Sequence, residues 1–185
     1  YLLPFGFSFF FFVGRPVKEK DNGWWLMRME TQAVADVYRD RLVAAAFQVC
    51  GNAADAEDAA QEALLRYHIS EKQFESEQHI RAWLLRVAIN CAKNVSRSFF
   101  RRNTVPLEDY MDSLEFDSGE SREIFREVMN LPETYRLVIH LYYYEDYSVA
   151  EIGRILGLTE SNVKVRLSRG RQLLRKALQE VWDDE

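Results

Sequence analysis

The chain has 185 residues, which is enough for one large or two small domains. Its hydrophobic fraction of 48% is ordinary for a folded protein, so apolar cores can form. The net charge of −5 argues against a uniformly basic nucleic-acid binder, so the distribution of charge along the chain matters more than the total.

The two cysteines, Cys50 and Cys91, lie far apart in apolar helical segments, and the sequence has no CxxC motif and no Cys/His cluster. This pattern indicates buried thiols in a reducing compartment and predicts no metal site. We also find no nucleophile beside a base and no glycine-rich phosphate loop. The sequence therefore predicts no catalytic residues and no cofactor.

Residues 1–29 do not resemble the rest of the chain. Their aromatic run from Phe5 to Val13 is much shorter than the roughly 20 apolar residues that a membrane-spanning helix needs. They also lack the basic start and the cleavage site of a secretory signal. Two interpretations stay open: a membrane-associating or disordered tail, or residues upstream of a true start at Met27 or Met29. We favour the second, because helical patterning begins only at Glu30.

The segment 30–103 is predicted to form a helical domain. Apolar positions at helical spacing predict a first helix from Glu30 to Cys50, which ends at Gly51 and Asn52. Asp55 is the expected N-cap of the second helix. The outer face of that helix carries a polar and acidic stripe with one leucine: Asp58, Gln61, Glu62 and Leu65. Taken alone, this stripe is typical of a solvated helix face.

A third helix is predicted from Ile80 to about Phe99, after a polar loop with one aromatic residue, Phe74. Its outward face is basic and rich in amides: Arg81, Arg86, Asn90, Lys93, Asn94 and Arg97. Such a face suits single-stranded DNA, because cations hold phosphates and amides read base edges. A loop aromatic can also stack on a flipped base.

Residues 104–121 are predicted to be a linker between two domains. The segment contains Pro106 and Gly119 and belongs to an acidic run from Glu108 to Glu123. This composition is typical of a solvated segment that is poorly ordered unless bound. Helices are expected to resume at about Arg122, and 122–185 is the predicted second domain.

A stretch in the second domain predicts two helices that meet at a tight turn. Ser148 and Glu151 can form a capping box at the start of the first of them, and Gly157 suits a left-handed cap at its end. Gly153 is expected to let the next helix cross closely. Thr159 is the expected N-cap of that next helix. The arrangement is typical of a helix-turn-helix.

The second helix of this pair is predicted from about Glu160 to Val181, and it has no acidic residue between Ser161 and Lys176. Its basic residues in that interval are Lys164, Arg166, Arg169, Arg171, Arg175 and Lys176. A helix of this size fits the DNA major groove, with its N-terminal half against base edges. Apolar spacing alone favours an ordinary hairpin with a solvated basic face. The short turn and the acid-free basic helix together favour DNA binding.

Three motifs in this order resemble the two conserved regions of bacterial RNA polymerase sigma factors. They are DAEDAAQEALLRYH, RAWLLRVAINCAKN and LPETYRLVIHLYYYEDYSVAEIGRILGLTESNVKVRLSRGRQLL. The compact layout is similar to the extracytoplasmic-function group, and the resemblance covers about Glu30 to Trp182. The expected fold is all-α, with two small helical domains joined by an acidic linker and a helix-turn-helix in the second.

The resemblance also implies roles for matching positions in the first domain. The stripe of Asp58, Gln61, Glu62 and Leu65 matches the helix that docks on the coiled-coil clamp helices of the polymerase β′ subunit. Phe74 matches a loop aromatic near the flipped base of the −10 element. Trp83 matches a tryptophan of the same domain, although its spacing is that of a core residue. The other expected −10 contacts are Arg81, Arg86, Asn90, Lys93, Asn94 and Arg97.

In the second domain, Lys164, Val165 and Arg169 match positions that face the −35 element. Arg166 and Arg171 are expected to contact phosphates, and the remaining expected −35 contacts are Thr159, Ser161, Asn162 and Ser168. Gly170 departs from the pattern, because glycine within a helix costs up to ~1 kcal/mol relative to alanine. It is expected to permit close approach to the phosphate backbone.

The resemblance implies a promoter-specificity subunit that binds core polymerase, reads an upstream element and traps melted DNA. It further implies a cytoplasmic protein without a small-molecule substrate. Its expected partners are core polymerase (through the β′ clamp helices and the β flap), promoter DNA and an anti-sigma protein. The alternative is a stand-alone helix-turn-helix regulator, whose first domain would serve only packing or dimerisation. The acidic stripe separates the two hypotheses, because such a regulator has no use for a polymerase-docking face.

Overall fold

The computed structural model describes residues 14–19, 25–97 and 118–183, with side chains described over 28–95 and 118–179. An antiparallel hairpin comes first, formed by β1 (Gly14–Glu19) and β2 (Trp25–Met29). Seven helices follow within the described ranges: α1 (Thr31–Cys50), α2 (Ala53–Ile69), α3 (Glu77–Arg97), α4 (Gly119–Asn130), α5 (Glu133–Tyr143), α6 (Val149–Leu156) and α7 (Glu160–Asp183).

The all-α fold class predicted from the sequence is confirmed, with the hairpin as an unexpected addition. The aromatic run 5–13 and most of the predicted linker lie outside the described residues. The last residues of that predicted linker, from Gly119 onward, already belong to α4. None of the helices in the described ranges has the length and apolar content to span a membrane.

The first three helices pack on one another around an alanine-rich core. The buried alanines are Ala45, Ala46, Ala56, Ala59, Ala60, Ala63, Ala88 and Ala92. Small side chains let neighbouring helices approach closely, and larger residues such as Leu42, Phe47 and Leu84 fill the remaining space. This packing fixes the positions of α2 and α3, whose outer faces carry the predicted binding residues.

The N-cap of α2 lies three residues earlier than the sequence analysis expected. The Asn52 side chain accepts a hydrogen bond from the Asp55 backbone N–H at 2.8 Å, and its amide donates to the Asp55 carboxylate at 2.8 Å. The prediction that Asp55 is the cap is therefore wrong. Asp55 lies in the first turn, where its negative charge complements the exposed N–H groups of the helix end.

The predicted helix-turn-helix is present as α6 and α7. The capping box between Ser148 and Glu151 is confirmed, as is the left-handed conformation of Gly157, which has a φ of 69°. The Thr159 hydroxyl accepts a hydrogen bond from the Asn162 N–H at 3.2 Å, so Thr159 caps α7 as predicted. A methyl group on Gly153 would lie 2.7 Å from the Leu158 carbonyl oxygen. The backbone that approaches Gly153 closely is therefore that of the turn between α6 and α7.

Gly170 is buried between α7 and α5. A methyl group there would lie 2.8 Å from the Ile139 Cδ1 atom and 3.3 Å from the Tyr135 Cβ atom. The expectation that this glycine approaches the DNA backbone is therefore wrong, because it faces the protein interior. Its missing side chain lets α7 pack closely on α5, which holds the basic face of α7 outward.

Candidate protein-binding and nucleic-acid-binding surfaces

The acidic stripe forms one continuous face of α2. Asp58, Gln61 and Leu65 are exposed and Glu62 is partly exposed, as expected for positions that recur every three or four residues. Glu62 accepts a hydrogen bond from the Arg66 side chain at 2.7 Å. Leu65 leaves 52% of its surface open to solvent.

Ile69 lies one turn beyond Leu65, and its spacing places it on the same face, although it was not among the residues predicted for the stripe. Ile69 is the most exposed large apolar residue in the described part of the chain, at 69%. The stripe therefore combines acidic side chains with an apolar end. A solvated helix face gains nothing from two large exposed apolar side chains, whereas a docking surface does.

The outer face of α3 presents most of its predicted residues to solvent. Arg86, Asn90 and Asn94 are exposed on successive turns, and Lys93 is partly exposed beside them. The side chain of Arg97 lies outside the described residues. Cations and amides thus alternate along one side of the helix, as a surface for an unpaired strand requires.

Phe74 is fully buried, which the expected role of an accessible loop aromatic did not anticipate. Its ring stacks on Tyr67 at 5.8 Å and meets the edges of Trp83 and His79 at 5.7 Å and 5.4 Å. Burial of this apolar ring closes the end of the three-helix core. In this arrangement Phe74 cannot stack on a base.

The neighbouring Lys72 was also missed, and it lies at the surface of the same loop. Its ammonium group is 5.5 Å from the Phe74 ring centroid and 5.8 Å from that of Trp83. A cation above two aromatic rings is held in place by their negative faces. The loop thus presents a positive charge next to the α3 face.

Arg81 does not point outward as its helical spacing suggested. Its guanidinium donates to the Glu145 carboxylate at 2.6 Å and to the Glu145 carbonyl oxygen at 2.5 Å. It also lies over the Tyr147 ring, 4.8 Å from the centroid. The contact joins residues 64 positions apart in the two domains, so helical periodicity could not reveal it.

Glu145 is buried in a turn after α5, with 4% of its surface exposed. The turn is closed by hydrogen bonds from the Glu145 and Tyr147 N–H groups to carbonyls of α5, and Asp146 adopts a left-handed φ of 54°. Arg41 lies 3.8 Å from the Glu145 carboxylate and His140 lies 3.9 Å from it. Burial lowers the pKa of His140 to about 4, so His140 is neutral at pH 7.

Polar atoms around Glu145 are incompletely satisfied. Arg81 Nε, His140 Nε2 and the Tyr147 hydroxyl are buried without a hydrogen-bond partner among the described residues. Unsatisfied buried polar groups each cost on the order of 1–3 kcal/mol. The contact between the domains around Glu145 therefore includes charged and polar groups, beside the apolar cluster to which both domains contribute.

The outer face of α7 is open along its N-terminal half. All the predicted −35 residues are exposed except Arg166, which is partly exposed: Thr159, Ser161, Asn162, Lys164, Val165, Ser168, Arg169 and Arg171. The Asn162 side chain accepts a hydrogen bond from Arg166 Nε at 2.7 Å. The Arg171 guanidinium lies 5.5 Å and 5.6 Å from the ring centroids of Tyr142 and Tyr143. The aromatic rings of α5 thereby orient this arginine.

A groove of 590 Å³ opens between α4, α5 and α7, on the second domain. Its walls are mostly apolar and include Val128, Ile139, Tyr143, Leu174 and Leu178. Leu174 and Leu178 are only partly buried and line this groove. A second apolar surface is thus available on the second domain.

Comparisons with known proteins agree with the two-domain architecture. The family model of sigma-70 region 2 matches residues 34–104, and that of sigma-70 region 4 matches residues 121–174. The ECF RNA polymerase sigma factor SigW of Bacillus subtilis is 31% identical over 169 residues, covering 80% of this chain and 88% of the relative. SigL of Mycobacterium tuberculosis is 34% identical over 144 residues, covering 74% and 81%.

A solved structure shares the fold. It is the sigma factor RpoE in complex with the anti-sigma factor NepR from Bartonella quintana, with a TM-score of 0.63 and 21% identity. The match covers 80% of this chain and 96% of that chain. Both sigma-70 regions are present in one chain, which does not favour a stand-alone regulator. The chain therefore belongs to the extracytoplasmic-function family of RNA polymerase sigma factors, which direct the polymerase to promoters to initiate transcription.

Proposed function

We propose that the chain docks on core RNA polymerase through the outer face of α2. In this proposal Asp58, Gln61, Glu62 and Leu65 contact the clamp helices of the β′ subunit. The observation that supports it most is the apolar end of an otherwise acidic face, where Leu65 and Ile69 are both exposed. Apolar contacts surrounded by a polar rim are the common composition of protein interfaces.

The α3 face is proposed to hold the melted −10 strand. Arg86 and Lys93 would bind phosphates, and Asn90 and Asn94 would meet base edges. Arg97, three residues after Asn94, would extend this phosphate-binding surface. Melting is driven by differential binding to the unpaired strand and needs no covalent step, so the proposed activity is not enzymatic.

Arg81 and Phe74 take part in −10 binding only after a rearrangement. Arg81 must leave Glu145, which separates α3 from the second domain, and Phe74 must leave its stack on Tyr67. The first of these movements parts the domains, because the Arg81–Glu145 ion pair joins α3 to the turn after α5. Promoter binding is thus coupled to domain separation.

The exposed half of α7 is proposed to read the −35 element in the major groove. Lys164, Val165 and Arg169 share the outermost face and would meet base edges, with Arg169 suited to guanine. Arg166 and Arg171 would hold phosphates, and Thr159, Ser161, Asn162 and Ser168 would complete the contact. Val165 suits a thymine methyl group.

The groove between α4, α5 and α7 is proposed to give polymerase a second contact, the β flap. Its apolar walls suit an inserted apolar helix. An anti-sigma protein is a further proposed partner, since the structurally similar RpoE is solved with NepR. Both partners place the proposed site of action in the cytoplasm.

The docking proposal is tested by reversing charge on the α2 face. We expect the double variant Asp58→Arg, Glu62→Arg to lower the affinity for core polymerase about a hundredfold, because like charges would then oppose one another across the interface. The matched control is Asp36→Arg with Asp40→Arg, at two exposed positions of α1. Equal affinities of the two double variants would refute docking through α2.

A further inference from the structure

Arg28, in strand β2, reaches the C-terminal end of α2. Its guanidinium donates hydrogen bonds to the carbonyl oxygens of Tyr67 at 2.6 Å, His68 at 3.1 Å and Lys72 at 3.3 Å, and also to that of Ser70. It also lies over the Tyr67 ring, 4.8 Å from the centroid. One side chain thus holds four carbonyl groups along the helix end and the loop that follows.

The carbonyls of Tyr67 and His68 belong to the last turn of α2, and those of Ser70 and Lys72 belong to the loop that follows. The last turn of an α-helix leaves C=O groups unpaired and carries a partial negative charge. A guanidinium offers five N–H donors in a fixed planar fork, whereas a lysine ammonium is a compact point charge. Arginine can therefore serve both the helix end and the loop beyond it, which lysine cannot do with the same geometry.

Residues close to Arg28 in sequence also contact the C-terminal end of α2. The Tyr67 hydroxyl donates to the Met29 carbonyl oxygen at 2.9 Å and accepts from the Met29 N–H at 3.1 Å. The Thr31 hydroxyl lies 3.1 Å from His68 Nδ1. Tyr67 is fully buried, and its ring stacks on Phe74. The end of α2 thereby contacts strand β2 and the first residue of α1 at several points.

The fastened loop leads directly to the proposed DNA surface. It carries Lys72 and Phe74, and it ends at Ser76, whose hydroxyl accepts from the His79 N–H at 3.1 Å in the first turn of α3. The start of this loop contacts Arg28 and its end joins α3. Freeing its start would let the exposed Lys72 move away from Trp83 of α3.

We propose that Arg28 is a positioning residue for capture of the melted −10 strand: its fork on four carbonyls holds the 70–74 loop against α3. This inference rests on the proposed role of α3 and its loop in −10 binding. Arg28 itself does not touch DNA in this account. Strand β2, which precedes α1, then contributes to the function of the first domain.

The test uses the full chain bound to core polymerase, with Arg28→Ala and Arg28→Lys. The probe is a forked promoter fragment whose non-template −10 strand is single-stranded. We expect Arg28→Ala to weaken fork binding about tenfold, since a freed loop residue must be ordered again on binding. Arg28→Lys keeps the charge without the planar geometry of the guanidinium. We expect this variant to bind the forked fragment several-fold more weakly, while its melting temperature stays near that of the unmodified chain.

Arg39→Ala is the matched control, because Arg39 is an exposed cation of α1 whose described ion pairs are with Asp40 and Glu57. Affinity for core polymerase is measured in parallel, and we expect every variant to stay within about twofold of the unmodified chain. Fork binding of Arg28→Lys equal to that of Arg39→Ala would overturn the inference. An equal loss of core affinity and fork affinity would also overturn it, because it would indicate general destabilisation.

The double variant Asn90→Ala, Asn94→Ala separates this inference from the proposed function. If it loses fork binding while the Arg28 variants do not, the −10 surface stands and the role of Arg28 is refuted. If neither loses fork binding, the assignment of α3 to the −10 strand fails, and the role of Arg28 fails with it.

Discussion

The two helices proposed to contact promoter DNA differ in how much of that surface the free chain leaves open. On α7, Lys164, Val165 and Arg169 are exposed. On α3, Arg81 is held by Glu145 of the second domain. If these assignments hold, the proposed duplex-reading surface is preformed, whereas the proposed strand-capturing surface becomes complete only when the domains part.

The difference has a physical origin in the packing of each helix. Val163, Leu167 and Gly170 bury one narrow side of α7, and the opposite side stays free for DNA. Helix α3 is buried on one side in the first domain and is contacted on another by α6. Gln78 of α3 even donates to the Glu151 side chain at 2.5 Å. One helix therefore serves both the domain interface and the proposed −10 surface.

The substitution Glu145→Gln is expected to have the largest effect, because it should open the α3 face and so remove its difference from the α7 face. Removing the charge from a buried ion pair costs on the order of 3 kcal/mol, because it leaves the arginine buried without its counter-charge. We expect the domains to separate and the affinity for forked promoter DNA to rise. Spin labels at positions 36 and 161 would report a longer distance in the free chain.

Glu123→Gln is the control for that experiment, since the ion pair described for Glu123 is with Arg126 of the same helix, α4. Its label distance should match that of the unmodified chain. An unchanged distance in Glu145→Gln would show that the ion pair does not hold the domains together.

A second variant should destabilise only the second domain, which carries the helix-turn-helix. In Gly153→Ala the added methyl group would lie 2.7 Å from a backbone oxygen of the turn, which cannot move as freely as a side chain. We expect a loss of about 2 kcal/mol in the stability of the second domain, typical of overpacking. Thermal unfolding followed by near-ultraviolet circular dichroism would measure this loss.

Gly119→Ala provides the comparison, because a methyl group there would meet no atom of the described residues within 4 Å, apart from its chain neighbours and the backbone of its own helix. It should leave stability nearly unchanged. If both glycine variants behaved alike, the close contact in the turn would not limit packing of the helix-turn-helix.

A smaller effect distinguishes base contacts from phosphate contacts on α7. We expect Arg169→Ala to weaken specific promoter binding about tenfold and non-specific binding much less, because base contacts carry the sequence information. Binding isotherms on a cognate and a scrambled −35 element would measure both affinities. A uniform loss on the two fragments would place Arg169 on the phosphate backbone.

The smallest effect is expected at Arg171, which the rings of Tyr142 and Tyr143 hold at the edge of the same face. Arg171→Ala should weaken specific and non-specific binding alike. It should also reduce the salt dependence of binding by about 0.9 in log–log slope, the value for one lost phosphate contact. A titration of affinity against salt concentration would test it, and an unchanged slope would contradict the assignment.

Local features of the second domain were predictable from the sequence, because they depend on residues a few positions apart. The capping box at Ser148 and the glycine cap at Gly157 are examples. Sequence also indicated the exposed stripe on α2. The cap at Asn52 was missed because Asn52 and Asp55 form a reciprocal pair, and either could be read as the cap.

Features that depend on distant parts of the chain could not be predicted in this way. Arg81 occupies an outward position in the helical pattern, yet its partner Glu145 lies in the other domain. Phe74 lies in a polar loop, and only the packing of Tyr67 and Trp83 reveals that its ring is buried. Gly170 faces another helix because of how α7 packs on α5. These three errors thus each concern a tertiary contact, unlike the local error at the cap of α2.

The central claim is that this chain brings core RNA polymerase to promoters. The most direct measurement is a pull-down of bacterial core polymerase with the full chain, followed by run-off transcription on a promoter library. We predict core binding and promoter-dependent transcripts, both lost in the Asp58→Arg, Glu62→Arg variant. DNA binding without core binding or transcripts would contradict the account and would indicate a stand-alone regulator.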